Sequence, residues 1–392
     1  DAAGEPIPGA NVFWMNTTNG VTTNEDGNFS IHKPARSHML VVSFIGFEND
    51  TIHVDKGNQQ LDIVLREGVE LSEVNVVTRK LGTMKLRTSV MNEDMISSAE
   101  LTRAACCNLG ESFVTNPSVD VSYSDAATGA KQIKLLGLSG TYVQMMTENI
   151  PNFRGAAAPY GLGYVPGPWM QSIQVSKGSS SVKNGYESIT GQINVEFKKP
   201  QLPEADWVSA NLFASSTNRY EANADATVKL SKRWSTSLLA HYENETKSHD
   251  SNDDGFVDIP RVEQYNVWNR WAYMGDHYVF QAGIKALHET RNSGQIAHGN
   301  TPSHDLYEIG IKTNRYEAFT KNAYIFDKEK NTNLALILQG TLHNQDANYG
   351  RKLYDVDQSN FYASLLFETE LSKQHSLSAG LSFNYDGYDQ NY

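Results

Sequence analysis

Residues 169–200 read WMQSIQVSKGSSSVKNGYESITGQINVEFKKP, and the rest of the chain can be understood from this segment. It predicts a β-strand over 172–176, a Gly- and Ser-rich turn over 177–181 and a second turn at Asn184-Gly185. Another strand is predicted over 192–197, just before a basic pair and Pro200. The segment is therefore a small polar β unit, and it contains no enzyme motif.

Three upstream segments complete a pattern: NPSVDV at 116–121, IKLLGL at 133–138 and YVQMMTENIP at 142–151. Together with residues 169–200 they resemble the plug domain of TonB-dependent outer-membrane receptors. That plug has a PGV-like step, an IRG-like strand, a DGIP-like strand end and an IEVxKGxxSxxYGxxxxxGxINxxxK closing segment, and all appear here in order. The chain departs from the family at Lys134-Leu135, in place of Arg-Gly, and at Glu148-Asn149, in place of Asp-Gly.

The composition agrees with this resemblance. A chain of 392 residues has room for two or three domains, and its apolar fraction is 39%. Transmembrane barrels alternate lipid-facing and lumen-facing residues, so a modest hydropathy is compatible with one. The 19 Tyr, 15 Phe and 6 Trp suit aromatic girdles. The resemblance implies the outer membrane of a Gram-negative bacterium, with the N-terminal domain in the periplasm.

Charge and cysteine content exclude two classes. The net charge of −12 argues against a nucleic-acid partner, because phosphate binding needs a basic face. Two cysteines in 392 residues exclude a disulfide scaffold. No signal peptide opens the chain, and Asp1 is expected to lie inside a mature exported protein.

Residues 1–68 are predicted to form a small antiparallel β-sandwich, since Asp26-Gly27 is a hairpin signal between alternating segments. GEPIPGANV at 4–12, DGNF at 26–29 and SFIGF at 43–47 resemble the carboxypeptidase-regulatory-like (transthyretin-like) domain that precedes the plug in many such receptors. A zinc carboxypeptidase would need a His-x-x-Glu pair, and none of the 11 histidines has Glu three residues later. We therefore expect a protein that is not an enzyme and requires no cofactor.

Residues 69–80 contain ELSEVNVVTRK, a short polar and β-branched segment between two domains. In this position it resembles the TonB box, which pairs with a TonB-type energy transducer by β-strand addition. The box residues are Glu73, Val74, Asn75, Val76, Val77 and Thr78. The alternative is that they form the last strand of the sandwich.

Residues 81–200 are predicted to form the plug, and a pair of adjacent cysteines in it bears on ligand binding. Cys106-Cys107 is an adjacent pair, for which three interpretations stay open: buried thiols, a strained vicinal disulfide, or a soft-metal site. Met145 or Met146 could join such a site, but adjacent strand residues point to opposite faces.

Two parts of the plug segment, residues 122–132 and 152–169, are rich in Gly, Ala and Pro and are expected to be exposed. The second would offer ligand contacts at the plug apex through Asn152, Phe153, Arg154, Tyr160, Tyr164 and Trp169. The alternative is that these aromatic residues pack the plug against the barrel wall.

Residues 201–392 alternate apolar and polar side chains and are predicted to form the N-terminal part of an antiparallel transmembrane β-barrel facing outer-membrane lipid. Nine strands are predicted, beginning near residues 206, 222, 234, 262, 277, 305, 333, 359 and 375. The predicted long loops are 247–260, 290–304 and 346–358. Since plugged transporters have about 22 strands, further strands are expected after Tyr392.

One predicted outer loop resembles a calcium loop. Asp250, Asn252, Asp254, Gly255 and Asp258 occupy positions 1, 3, 5, 6 and 9 of that pattern, but position 12 is Arg261 instead of Glu. Ca²⁺ binding and a solvated acidic loop are the two interpretations.

The fold class is therefore mostly β: a β-sandwich, an α+β plug and part of a barrel. The resemblance implies import of a scarce nutrient, with ligand bound by outer loops and plug apex and the plug moved by the transducer. A metal or metal complex (iron chelate, haem, cobalamin or copper) is preferred, because the closing segment lacks the acidic DIExIEVLKDASA-like pattern of glycan importers. The alternatives are a glycan importer and a receptor or adhesin without transport. A surface lipoprotein is a further expected partner.

Overall fold

The computed structural model describes most of the chain. The described residues are 4–15, 17, 19–34, 38–44, 50–54, 60–65, 83–85, 92–103, 107–114, 116, 119–138, 140–178, 185, 187–202, 207–296, 306–372 and 375–392. The predicted TonB box, residues 73–78, and Cys106 lie outside them, so the predictions made for these residues stay predictions.

The N-terminal domain contains a four-stranded antiparallel sheet in the order β2-β1-β3-β4. Its strands are β1 (Asn11–Trp14), β2 (Gly20–Thr22), β3 (Met39–Ser43) and β4 (Asp50–His53). Alternate residues of β1 and β3 face a small core made of Val12, Trp14, Leu40, Val42, Val54 and Leu65. Asp26-Gly27 lies in a turn, where Gly27 has φ +74° and donates its N–H to the Asn24 carbonyl at 3.0 Å.

The plug segment is built on a six-stranded mixed sheet in the order β10-β9-β12-β11-β6-β5. These strands are β5 (Thr83–Lys85), β6 (Asn92–Ser97), β9 (Val143–Thr147), β10 (Ile150–Pro151), β11 (Met170–Lys177) and β12 (Gly191–Phe197). A short helix α1 (Ser98–Arg103) follows β6. A separate hairpin consists of β7 (Asp120–Asp125) and β8 (Ala130–Lys134).

The two strands predicted in residues 169–200 are β11 and β12, which pair antiparallel. β12 lies in the middle of the sheet, pairs in parallel with β9 on its other side, and is buried at all seven positions. β12 is therefore the centre of this sheet, because β9 and β11 pair with it directly and β6 is positioned against it through β11.

The remaining strands form one nine-stranded antiparallel sheet in sequential order, which we call the wall. They are β13 (Val208–Ala214), β14 (Arg219–Lys229), β15 (Trp234–Glu245), β16 (Arg261–Met274), β17 (Tyr278–Gly294), β18 (Glu308–Asp327), β19 (Thr332–Tyr349), β20 (Lys352–Ser372) and β21 (His375–Asn391). The number of strands agrees with the sequence prediction, and so does the alternating burial of most of them, although β13 and β21 are largely exposed.

One connection was predicted wrongly. The expected long loop at 346–358 is a hairpin, in which β19 ends at Tyr349 and β20 begins at Lys352. Gly350, with φ +61°, supplies the tight turn. The alternation simply continues through the segment, since Ala347 and Val356 are both buried, and its Asp, Asn and Gly residues were mistaken for a loop signal.

The outward side chains of the wall have the distribution expected of a lipid-facing surface. Aromatic rings cluster at one end, where Trp234 lies 5.1 Å from Tyr273, and again eight residues away, where Tyr242 lies 4.9 Å from Tyr265. Eight residues at about 3.3 Å each, tilted by about 40°, span about 20 Å, close to the apolar band of about 25 Å in outer-membrane barrels. Among the described residues no helix is long and apolar enough to cross a membrane.

Candidate functional site

Most of the segment 152–169 is buried, although Gly155, Ala158 and Pro159 are exposed, so the prediction of an exposed apex loop is wrong for its aromatic residues. Tyr164 and Trp169 are completely buried, and Phe153 and Tyr160 are 5% and 6% exposed. Their rings belong to one hydrophobic core that includes wall residues. The same small residues that suggested a flexible loop allow tight packing, so the aromatic residues pack the plug against the wall. Ligand contact at these positions stays a prediction.

The other segment expected to be exposed does reach solvent. At the β7–β8 hairpin, residues 123–127 are exposed, and the Tyr123 side chain is 59% accessible. The expectation of exposure is therefore correct for this hairpin.

The turn at Glu148-Asn149 lacks the Asp-Gly sequence of the family, yet both of its residues have the positive φ angles of a tight hairpin turn. It joins β9 to β10, and the two residues have φ angles of +51° and +63°. Positive φ at both central residues is the requirement of a type I′ hairpin, for which Asn is well suited and Glu is not. The Asn149 N–H is held by the Asn194 side chain at 2.7 Å. Glu148, the less favourable residue at such a position, contacts the wall through its side chain.

That side chain forms a buried ion pair with the wall. Arg270 on β16 donates from Nη2 to Glu148 Oε1 at 2.5 Å, and the two side chains are only 2% and 3% exposed. Arg270 Nη1 also donates to the Lys198 carbonyl at 2.7 Å, and its guanidinium lies 4.5 Å from the Trp268 ring. Lys321 on β18 donates to the Glu148 carbonyl at 2.7 Å and lies 3.8 Å from its carboxylate. We call Glu148, Arg270 and Lys321 the plug latch.

A second polar group joins the plug to the wall four residues further on. Arg315 donates from Nη2 to Asn152 Oδ1 at 2.5 Å, and Asn152 donates in turn to Glu317 Oε2 at 2.8 Å. Arg315 and Lys285 both pair with Glu317, at 3.0 and 3.5 Å. The two cations, Arg315 and Lys285, also lie near the Phe153 ring, at 5.7 and 5.9 Å from its centroid. Asn152 thus has a role in anchoring the plug.

Between these groups lies a crevice whose lining is partly aromatic and partly charged. It is lined by Thr147, Glu148, Ile150, Asn152, Phe197, Trp268, Lys285, Glu317, Ala318, Phe319 and Gln339. The buried Gln339 Oε1 accepts no hydrogen bond from the described residues, and neither do Gln264 Oε1 and Asn266 Oδ1 elsewhere on the wall. Buried amide oxygens are normally satisfied by protein or ordered water, so we expect this interface to be hydrated.

Cys107 lies in a third plug–wall contact, which is charged. Glu111 accepts from the Cys107 N–H at 3.2 Å and pairs with Arg219 of β14 at 2.8 Å. Arg219 also meets Glu221 and Glu243, at 2.6 and 2.9 Å. Burial, reinforced by the Glu221 carboxylate, raises the pKa of the Cys107 thiol. A raised pKa disfavours the thiolate that binds metals, so this setting does not favour the predicted soft-metal role.

The two methionines of that prediction sit elsewhere in the plug. Met145 and Met146 lie on β9, where Met146 is fully buried and Met145 is partly buried against the hydrophobic core. Adjacent strand positions do place the two side chains on opposite faces, as expected. Copper binding by the set of four residues stays a prediction.

Arg154 has partners on both sides of the plug–wall boundary. It pairs with Glu187 of the plug, and with Asp386 of β21 at 3.3 Å. The next residue, Gly155, has φ +58° and sits where a Cβ would collide with the Tyr388 hydroxyl and the Gln358 amide. Close approach of backbone to wall explains this glycine.

The predicted calcium loop uses its carboxylates internally. Asp250 accepts the backbone N–H groups of Asp254 and Gly255 at 3.1 and 2.9 Å, and Asp258 accepts that of Ser251 at 2.7 Å. Asn252 donates its side-chain amide to Asp254 at 2.9 Å. Within the described part of the chain, no three His, Cys, Asp or Glu residues are grouped so that they could hold a metal ion. Calcium binding stays a prediction.

Sequence reasoning missed the wall half of each polar contact. Arg270, Lys285, Arg315, Glu317 and Lys321 all lie on strands, on the face opposite the lipid-facing aromatic residues. The available signal was their position in the alternating pattern, because a charged residue on the inward side of a barrel strand faces a lumen or a plug. Their plug partners could not be read from local patterns.

Comparison with known proteins gives two domain matches. The profile of the CarboxypepD_reg-like domain matches residues 1–77, and that of the TonB-dependent Receptor Plug Domain matches residues 85–192. TonB-dependent receptor SusC of Bacteroides thetaiotaomicron is 26% identical over 236 residues, covering 56% of this chain and 23% of the relative. TonB-dependent receptor P26 of Formosa agariphila is 26% identical over 234 residues, covering 55% and 22%.

Solved structures share the fold. The ferripyoverdine receptor of Pseudomonas aeruginosa superposes with a TM-score of 0.63 at 13% identity, covering 79% of this chain and 45% of that one. The copper transporter OprC gives 0.61 at 12% identity, covering 76% and 46%. The chain thus spans less than a quarter of the curated relatives it matches and about half of these solved structures.

Both domain matches occur in the expected order, and an antiparallel wall packed against a plug is the fold of outer-membrane receptors. The protein is therefore an outer-membrane protein. The chain belongs to the TonB-dependent receptors that carry an N-terminal carboxypeptidase-regulatory-like domain.

Proposed function

We propose that the protein imports a scarce nutrient across the outer membrane, using energy delivered through a TonB-type transducer. The observation that carries the proposal is the plug latch, a buried ion pair that connects a plug turn to two wall strands. A buried pair resists separation while it is dry, because each charge alone in a low-dielectric site is costly. Once water enters, both ions are solvated, which lowers the cost of separating the plug turn from the wall.

The chemistry of the interface supports a plug that is displaced as a unit. Three polar contacts, centred on Glu148, Asn152 and Glu111, lie around the same domain. The unsatisfied amide oxygens nearby supply places where water already belongs. Force applied through residues 73–78 would break these contacts together. No covalent step is needed, and the family resemblance assigns the energy to the inner-membrane proton gradient.

The proposed substrate class is a metal or metal complex. The support is in the closing segment, where residues 171–178 read QSIQVSKG in place of the acidic pattern of glycan importers. A glycan importer is the second proposal, and a surface lipoprotein could then cover the outer loops. The exposed β7–β8 hairpin is the plug surface proposed to touch ligand first, with the outer loops.

The test compares cells that express the full-length receptor, a variant lacking residues 73–78, or no receptor. Elemental mass spectrometry measures cell-associated iron and copper. We expect one element to accumulate with the intact receptor and to fall to the level of the empty strain in the deletion. Equal metal in all three strains would contradict the metal proposal, and glycan and cobalamin uptake would then be measured in the same strains.

The same deletion separates transport from adhesion. A receptor or adhesin that does not transport would keep its surface binding and lose nothing when the box is removed. Import of any substrate requires the box. Growth or binding that is unchanged by the deletion for every substrate tested would favour the adhesin.

A further inference from the structure

The N-terminal sheet carries a thioether and an imidazole in contact. Met39 of β3 and His53 of β4 are paired across the two strands. His53 Nδ1 lies 3.3 Å from Met39 Sδ. His53 is exposed and Met39 is half-buried, and the face they share is opposite the core positions Leu40 and Val42.

A second imidazole adjoins the pair. The His38 ring stacks on that of His53, with centroids 5.9 Å apart and an interplanar angle of 26°. Lys33 Nζ lies 3.1 Å from His38 Nδ1 and donates to it. Two imidazoles and one thioether are thus neighbours on the sheet, and one ammonium group holds the outer imidazole.

The geometry points to a binding site for a soft monovalent cation, Cu(I) or Ag(I), formed by Met39, His53 and His38. With bonds of about 2.1 Å to nitrogen and about 2.3 Å to sulfur, atoms 3.3 Å apart subtend about 97° at a shared ion. That angle suits a three- or four-coordinate d¹⁰ ion. Thioether ligands select Cu(I), whereas Zn²⁺ and hard cations prefer other donors.

Binding needs a proton rearrangement on His53 and the displacement of Lys33 from His38. In the metal-free protein the thioether can only accept, so His53 donates from Nδ1–H to Met39 Sδ. On binding, the ring proton passes through solvent to Nε2, and the Nδ1 lone pair turns to the ion. His38 becomes a ligand when Lys33 withdraws. No oxidation state changes, and the side chain of Lys33 opposes binding through both its charge and its hydrogen bond.

This site differs from the cysteine and methionine set predicted in the plug. It lies entirely in the N-terminal domain, whereas Cys107, Met145 and Met146 belong to the plug. It also does not depend on which substrate passes the barrel, so its failure and the failure of the transport proposal can be distinguished.

The experiment is an anaerobic Cu(I) titration of the full-length receptor in detergent, without a polyhistidine tag, against a coloured Cu(I) chelator. Cys106→Ser/Cys107→Ser is the parent for all variants, so thiols do not contribute. We expect the parent to withdraw one equivalent of Cu(I), and Met39→Leu and His53→Gln each to weaken binding by about tenfold or more. Lys33→Ala should strengthen binding, because it removes the competing cation and releases His38.

Matched controls are Met274→Leu and His375→Gln, which alter an exposed methionine and an exposed histidine of the wall. They should bind as the parent does. Residue-specific support comes from the ¹³C-methyl NMR signal of Met39, which should shift on addition of Ag(I) and stay in place with Zn²⁺. The proposal is overturned if the parent withdraws no copper, or if Met39→Leu and His53→Gln bind as tightly as the parent.

Discussion

Replacing Glu148 with glutamine removes the charge that faces Arg270 and leaves a buried guanidinium that still donates to the Lys198 carbonyl at 2.7 Å and lies 4.5 Å from the Trp268 ring. Both side chains of the pair are at most 3% exposed, so little solvent is available to compensate. Unit charges about 4 Å apart attract by about 4 kcal/mol at an effective dielectric constant of about 20. Loss of one partner of a buried pair costs about 3–5 kcal/mol, in agreement with that figure.

The loss should appear as local opening of the β9–β10 hairpin. The Asn152 N–H, which donates to the Met145 carbonyl at 3.0 Å, reports on this hairpin without being part of the altered side chain. Because about 1.4 kcal/mol corresponds to a tenfold change, hydrogen exchange of this amide should become faster by on the order of 10²- to 10³-fold. Hydrogen exchange of the receptor in detergent measures it.

Two variants make the result specific. Asp276→Asn breaks the Arg233–Asp276 pair, whose side chains are 54% and 68% exposed, and exposed pairs contribute about 0–1 kcal/mol. Glu148→Gln/Arg270→Met removes both buried charges and should restore exchange to within about tenfold of the parent, since the cost lies in the unpaired ion. The reasoning is refuted if Glu148→Gln exchanges no faster than Asp276→Asn, or if the double variant is no slower than Glu148→Gln.

Three further predictions concern packing and lipid contact. Trp268→Ala removes a ring that meets Phe197 at 4.5 Å, and should lower the free energy of unfolding by about 3–5 kcal/mol in a denaturant titration; an effect below about 1 kcal/mol would contradict the packing described. Gly155→Val should reduce the yield of folded receptor, because its Cβ collides with Tyr388 and its φ is +58°, whereas Gly340→Ala, at a position with open space around the Cβ and no positive φ, should fold normally. Val267→Arg, in the outward band of β16, should destabilise the receptor by about 2–4 kcal/mol, and Leu353→Arg, one residue into β20 beyond the hairpin, by about 0–1 kcal/mol; equal values would place the lipid band elsewhere.

The parts of the fold that could be predicted are those specified by short-range signals. β11 and β12 were recognised because a strand pattern, a Gly-rich turn and a second strand follow one another within residues 169–200. The wall strands were recognised because side chains alternate between lipid and interior along every one of them. Alternation is a property of the local sequence, so it can be recognised without knowing which strands are neighbours in the sheet.

The errors arise where the same residue composition is compatible both with an exposed loop and with a packed or strand segment. Gly, Ala and Pro in residues 152–169 fit an exposed loop, yet here they let Tyr164 and Trp169 pack fully against the wall. At residues 346–358, polar turn formers fit a loop, yet they continue two strands around Gly350. Only the neighbouring surface distinguishes the alternatives, and that surface comes from distant sequence.

The same limit applies to the candidate site. Glu148 was noted as a departure from the family pattern, but its partner Arg270 lies 122 residues away. The pairing depends on strand register and on how the plug sits inside the wall. Sequence periodicity could identify Arg270 as inward-facing, but it could not say which plug residue it meets.

Movement of the plug under force can be measured at Ala157, which is completely buried in the plug core. An Ala157→Cys variant, in a Cys106→Ser/Cys107→Ser background, is exposed to a membrane-impermeant thiol reagent in growing cells, with and without residues 73–78. The energised plug described here predicts labelling that depends on those residues and is abolished by a proton uncoupler. Equal labelling of the two strains would contradict a plug that is moved by the transducer.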